Sequence, residues 1–274
     1  MSDYPLRLLV YGQPGVGKTT LIASGVGDPR LTPGLLLDFE GGTLAVRSKA
    51  HPITLEQLQD AKYKPPPDRM DVLSIRSWAE LEAAYDHLDE DKHPYQMVGV
   101  DSLTEVNYLC LQTIIGESVR DNPRHEPDAA EMRDYLKASN RMKTLVRGLR
   151  DLDTHCVISC GLAEDTNPRT KLPQSRPSLV GKLVFEVAGL MDIVGFLCTE
   201  EGEDPDTHEA LLARLLVTDP SDREVAKDRS EGGMLGGVVD DPTLPKILDL
   251  LQYAMPEAPV QAAKPKPKPK EAKS

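Results

Sequence analysis

The stretch "GQPGVGKT", Gly12 to Thr19, constrains this chain more than any other. It meets the pattern G-x-x-x-x-G-K-[ST] at every fixed position. Before it stands "RLLVYG", which reads as a short buried strand over Leu6 to Tyr11. After it comes a segment expected to be helical from near Lys18 to about Ser24, with Gly25 as a stop. A glycine-rich loop between a strand and a helix turns successive backbone N–H groups inward and adds the positive end of the helix, so it suits phosphate oxygens. Gly12, Gln13, Pro14, Gly15, Val16, Gly17, Lys18, Thr19 and Thr20 are therefore the candidate nucleotide-binding residues. Lys18 is expected at the β- and γ-phosphates and Thr19 at Mg²⁺, which makes ATP and Mg²⁺ the expected cofactors.

The remaining pattern alternates strand and helix. "GLLLDF", "DVLSI", "YQMVGVD" and "HCVISCGL" read as further strands. Ser77 and Glu80 form a capping-box pattern ahead of a helix with Leu81, Ala84, Tyr85 and Leu88 on one face. Ser102 and Glu105 repeat that pattern. A long helix is expected after Asp128, with Met132, Tyr135, Leu136, Met142, Leu145, Val146, Leu149 and Leu152 at helical spacing. Gly41 to Met70, broken by Pro65, Pro66 and Pro67, reads as irregular. "DIVGFLC" and "ALLARLLVTD" read as a hairpin joined through "TEEGEDPD", and a helix from Leu244 to Tyr253 closes the domain. The order predicts an α/β fold: a mostly parallel central sheet, helices on both faces and a C-terminal antiparallel extension. Residues 1–255 form the expected domain, and the Lys/Pro-rich residues 256–274 an expected disordered tail.

Charge narrows the partners. The net charge is −12, yet the last 18 residues carry five lysines and two glutamates, so the body is more acidic still. An acidic body argues against a broad nucleic-acid surface and leaves only local basic segments for that role. No apolar run approaches a membrane span, and the N-terminus lacks a leader pattern, so no membrane and a cytoplasmic location are expected. The four cysteines form no CxxC pair and read as reduced core residues.

Parallel sheets bind ligands at the C-terminal strand edge. Asp101 ends "QMVGVD" there and is the second candidate metal residue beside Thr19. "LLLDFEGG" delivers Glu40 to the same edge, where a carboxylate can polarise the attacking water, and Gly41 and Gly42 let the backbone turn away. Asp38 competes for that role but lies deeper in the strand. Lys227 and Arg229, two apart in an extended segment, share one side and suit a phosphate in a neighbouring subunit. Residues 166–185 hold Arg169, Lys171, Arg176 and Lys182 and no acid, the candidate DNA-binding segment, although no aromatic precedes Phe185. A solvated basic turn and an ordinary loop remain the plain alternatives for these last two features.

Together these motifs resemble the RecA-like core P-loop ATPases, a group of recombinases, hexameric DnaB-like helicases and short phage single-strand recombination and annealing ATPases (AAA-type ATP-binding phage proteins). "LLLDFEGG" resembles the strand with the catalytic glutamate, "VGVDS" the Walker B strand, and "AKDRSEG" the K-x-R-x-G element whose cations reach a neighbour's γ-phosphate. "CVISCGLAEDT" resembles the strand that ends in a γ-phosphate sensor, but Gly161, Leu162 and Ala163 stand where the family has Gln or His. The compact length is most similar to the phage proteins. The resemblance implies Mg-dependent ATP hydrolysis and recombination on single-stranded DNA by a homo-oligomer, ring or filament, in host cytoplasm if phage-encoded. It also implies a single-strand-binding protein or another replication or recombination partner. The alternatives are a DnaB-like helicase or loader, a small-molecule kinase, and a nucleotide-gated binding module with little turnover.

Overall fold

A computed structural model describes residues 4–90, 93–122, 124–126, 129–167, 169–203 and 210–253. The first half runs β1 (Arg7–Gly12), α1 (Lys18–Ala23), β2 (Gly34–Asp38), β3 (Ala50–Ile53), α2 (Leu55–Gln59), β4 (Met70–Ser74), α3 (Trp78–Asp89) and β5 (Met97–Asp101). Then follow α4 (Leu103–Asp121), α5 (Met132–Asp151), β6 (His155–Thr166), β7 (Pro173–Pro177), α6 (Leu183–Leu190), β8 (Ile193–Glu203), β9 (Ala210–Val217), β10 (Lys227–Asp228), β11 (Val238–Asp240) and α7 (Leu244–Leu250).

These strands form one sheet in the order β11-β9-β8-β1-β6-β5-β2-β4-β3. The run from β8 to β3 is parallel, while β9 and β11 add the antiparallel extension. Strand alternation sends Leu9, Tyr11, Leu35 and Leu37 to one face, beneath α3, α4, α5 and α6. Leu8, Val10 and Leu36 go to the other, beneath α1 and α7. Each large apolar side chain fully buried in these layers stabilises the fold by about 1.5–3 kcal/mol before cavity effects. Gly99 in β5 lets α1 lie close, since a Cβ there would stand 2.8 Å from Ile22 Cγ2. The cysteines are free, with Cys110, Cys156 and Cys160 buried, and burial raises the Cys160 thiol to about 11. That makes Cys160 an inert core group, as its place in an apolar run implies.

Four expectations change. Gly41 to Met70 is not wholly irregular: it holds a 3₁₀ turn at Thr43–Val46, then β3 and α2. β3 contains Pro52, which an edge strand tolerates, and the short α2 is capped by a reciprocal Thr54–Gln57 box. Within the basic segment, β7 pairs antiparallel with the outer half of β6, a strand hidden by its flanking prolines. At the start of α5, Met132, Tyr135 and Leu136 are exposed, whereas Asp134 is buried by hydrogen bonds with Ser118 (2.7 Å) and His125 (2.7 Å). The polar network takes the core-facing position, so the apolar face starts a turn later. Fourth, the Ser102 hydroxyl makes no cap bond to α4 and serves Glu40 instead. Residues 256–274, and part of the acidic connection between β8 and β9, lie outside the described residues.

Candidate nucleotide site

The phosphate loop leaves the sheet at Gly12, which pairs with Gly161 of β6 on one side and Leu197 of β8 on the other. A Cβ at Gly12 would stand 2.3 Å from the Leu197 carbonyl oxygen, so only glycine permits this exit. Gly15 (φ 80°) and Gly17 (φ 102°) hold left-handed conformations that side chains disfavour. Lys18 opens α1, and its Nζ donates to the Gly12 and Gln13 carbonyls, each at 3.0 Å. The ammonium thus stays on the loop that the motif implies it serves.

The Thr19 hydroxyl donates to Asp101 Oδ2 at 2.5 Å, joining the loop helix to the end of β5 across the intervening β6. Asp101 is buried, and the Ser159 hydroxyl of β6 donates to its other oxygen. Ser159 gives one signal in the sequence, a hydroxyl inside the apolar run "CVISC". A carboxylate and a hydroxyl converging on one point fit a hard, oxygen-seeking cation such as Mg²⁺.

Asp38 and Asp101 end neighbouring strands in register. Asp38 is 2% exposed, and its Oδ1 accepts the backbone N–H groups of Glu40 (3.2 Å) and Gly41 (2.9 Å). It therefore builds the turn, while Glu40 projects from it exposed. Gly41 (φ 73°) completes the bend, and a Cβ on Gly42 would stand 3.9 Å from Thr19 Oγ1, so the turn returns over the phosphate-loop helix. Glu40 Oε1 accepts the Ser102 hydroxyl, which fixes the carboxylate beside the Thr19–Asp101 pair.

Residues 4–230 match the family described as AAA domain. The chain belongs to this AAA-domain family. A comparison with curated proteins finds no significant match. The match takes in the phosphate loop, Glu40, Asp101 and Arg229, and it makes the chain a nucleotide-binding P-loop ATPase type; β11 and α7 fall outside it. Among the described residues no helix is long and apolar enough to cross a membrane.

In this AAA domain the loop amides and Lys18 are placed to bind phosphate charge, and Thr19 and Asp101 would hold Mg²⁺. When bound, Mg²⁺ supplies neutralisation of charge on the transferring phosphoryl group. A carboxylate held as Ser102 holds Glu40 can polarise a water molecule. Ser102→Ala is expected to lower ATP turnover about tenfold with nucleotide affinity unchanged, the lower range for a hydrogen bond to a charged group. Steady-state turnover beside a nucleotide titration checks this, and an unchanged turnover removes the positioning role.

Lys227 and Arg229 lie elsewhere. β10 pairs with Ile193 and Val194 at the start of β8, whereas the phosphate loop leaves opposite Leu197. That separation is roughly 13 Å along the strand, at the opposite end of the sheet. The two side chains do share a side, as their spacing implies, because both donate to the Gly189 carbonyl (3.3 and 3.2 Å). Lys227 also donates to the carbonyls of Ala188 (2.8 Å) and Met191, closing the C-terminus of α6. Burial, reinforced by the Arg229 charge, lowers the Lys227 ammonium to about 8.

The four basic candidates beyond β6 divide. Arg169 and Lys171 are exposed at the tip of the β6–β7 hairpin, and Lys182 is exposed at the N-cap of α6. Arg176 instead bridges Asp165 (3.1 Å) and the Leu179 carbonyl (3.0 Å), so it braces the hairpin. The acid that meets this acid-free segment is Asp165 of β6, and Asn167 ties the hairpin to the backbone carbonyl of Asp222 at 3.2 Å. At the sensor position, Gly161 supplies no side chain, and its N–H donates to Thr104 Oγ1 at 2.9 Å.

Proposed function

We propose that this AAA domain is a Mg²⁺-dependent ATPase that acts on single-stranded DNA as a multimer, in recombination. The observation carrying the reading is that β6 runs between the Gly12 and Asp101 strands and continues directly into the hairpin bearing Arg169 and Lys171. One continuous strand therefore runs from the nucleotide edge toward the basic tip. Exposed Lys182 follows at α6, and Phe185, 59% exposed one turn later, adds an aromatic surface for a base. The test is ATP turnover with and without single-stranded DNA at low salt, with Lys18→Ala as the inactive control. Stimulation by DNA supports the reading, and turnover indifferent to DNA overturns it.

Neutralising Arg169, Lys171 and Lys182 together is expected to weaken single-strand binding and to flatten its salt dependence. The slope of log affinity against log salt should fall by roughly 0.7 for each phosphate contact removed. Arg176→Gln should mainly loosen the hairpin. If only deletion of residues 257–274 changes the slope, the lysine–proline tail is the binder.

Gly161 favours a second reading, a nucleotide-gated binding module with little turnover, because no side chain there couples the γ-phosphate to the hairpin. DNA affinity that depends on ATP, with negligible hydrolysis, would establish it.

A further inference from the structure

One cation near the phosphate loop belongs to no motif. Arg214 is the only basic residue of β9, in the run "ALLARLLV". Strand alternation points it to the same face as Leu216, the face that carries α1. Its guanidinium lies against the loop: a Cβ on Gly17 would stand 2.9 Å from Arg214 Nη1 and 3.6 Å from its Cδ. Gly17 is thus required twice, for its left-handed backbone and for the space this arginine fills.

The arginine is incompletely partnered where it is buried. Its Nη2 donates to Asp241 Oδ1 at 2.9 Å and to the Pro242 carbonyl at 3.4 Å. Its Nε is buried with no hydrogen-bond partner. Leaving such a donor unsatisfied is unfavourable, and a leucine would fill an apolar strand face without that cost. The Asp241 carboxylate that balances the charge is 82% exposed, so water screens the pair and little free energy holds it. The Asp241 N–H donates back to the Arg214 carbonyl at 2.7 Å, which keeps the partners in register.

We propose that Arg214 is a second cation of the nucleotide site, presented to the flank of the phosphate loop from β9 and partly neutralised by Asp241. The inference rests on the loop's reading as an ATP site. Bound phosphates bring several negative charges to the loop, and a guanidinium held at its flank favours them over a solvated carboxylate. Asp241 lies beyond the family match, so the C-terminal segment leading into α7 sets how much of that charge the nucleotide meets. Arg214 acts on binding more than on the chemical step, because it stands on the loop's flank on β9, whereas Glu40 lies in the turn after β2, on the other side of β1 in the sheet.

The test is the affinity for ATP·Mg²⁺ by calorimetry, with turnover and Tm, for the full chain and the Lys18→Ala, Arg214→Ala, Arg214→Lys and Asp241→Asn variants. Arg214→Ala is expected to weaken ATP about tenfold with kcat nearly unchanged, and Arg214→Lys to recover part of the loss. Asp241→Asn is expected to tighten ATP by a few fold, since it releases the guanidinium from its competing carboxylate. A purely structural tie predicts the opposite sign for Asp241→Asn. Arg214→Ala and Asp241→Asn that weaken ATP alike and lower Tm alike overturn the proposal. So does Arg214→Ala with wild-type affinity while Lys18→Ala has lost it. Should the wild type itself bind no ATP·Mg²⁺, the nucleotide reading fails and this inference fails with it.

Discussion

Glu40→Gln is expected to bind ATP as the wild type does and to hydrolyse it 100- to 10,000-fold more slowly, about the contribution of a positioned general base. The amide keeps the size of the carboxylate and can still accept the Ser102 hydroxyl, but it cannot draw a proton from water. Asp38 makes the prediction specific. Its carboxylate is occupied by the Glu40 and Gly41 N–H groups, so the turn should survive the change at Glu40. Asp38→Asn, by contrast, weakens those two charge-assisted bonds and should lower Tm along with turnover. Single-turnover kinetics beside a nucleotide titration separates the cases. Lost affinity in Glu40→Gln with an unchanged Tm would make Glu40 a binding residue, and a wild-type rate would leave it a solvated strand end.

The legible part of this site was its local part. Gly12 to Thr19 declare themselves by spacing, and Glu40 and Asp101 by ending apolar runs that a parallel sheet aligns at one edge. What stayed hidden depends on partners distant in the chain. Ser159 gains its role only because β6 inserts between β1 and β5. Ser102 looked like a helix cap because the local pattern is that of a cap; the turn after β2 captures its hydroxyl instead. Arg214 is 197 positions from Gly17, and nothing in "ALLARLLV" names its neighbour. In the fold, β3 and β7 hide because each contains or is flanked by proline, which local propensity counts against a strand. In the first turn of α5 a buried Asp134–His125–Ser118 network outweighs the apolar periodicity.

Arg229→Ala is expected to leave nucleotide bound and to reduce turnover by a factor on the order of 10³ to 10⁵, the effect of a cation withdrawn from the transition state of phosphoryl transfer. Its place in the sheet decides how this would work. Arg229 follows β10 at the start of β8, the end remote from its own phosphate loop, so a catalytic role requires a second chain. Its side chain is 55% exposed and lines a cleft of about 610 Å³ with Arg7, Arg150, Asp151 and Asp192. That cleft is the surface a neighbouring phosphate-loop edge would have to approach. If it does, each active site is built from two chains, and Lys18→Ala mixed with Arg229→Ala should recover part of the activity. A Lys18→Ala subunit lends its intact Arg229 to the intact loop of its partner, whereas each variant alone carries a defect at every interface. The neighbouring Lys227 adds a pH signature. Its ammonium is lowered to about 8, so any share it has in the transition state is present below that pH and lost above it. Lys227→Arg, which stays charged, should remove the alkaline loss while Arg229→Ala stays inactive throughout. Wild-type turnover should also rise more than linearly with protein concentration as multimers form. A mixture as inactive as its parts, with co-assembly verified by sedimentation, would end the two-chain model. Arg229 would then serve the fold through Gly189 and Asp192, and Lys227 through the C-terminus of α6.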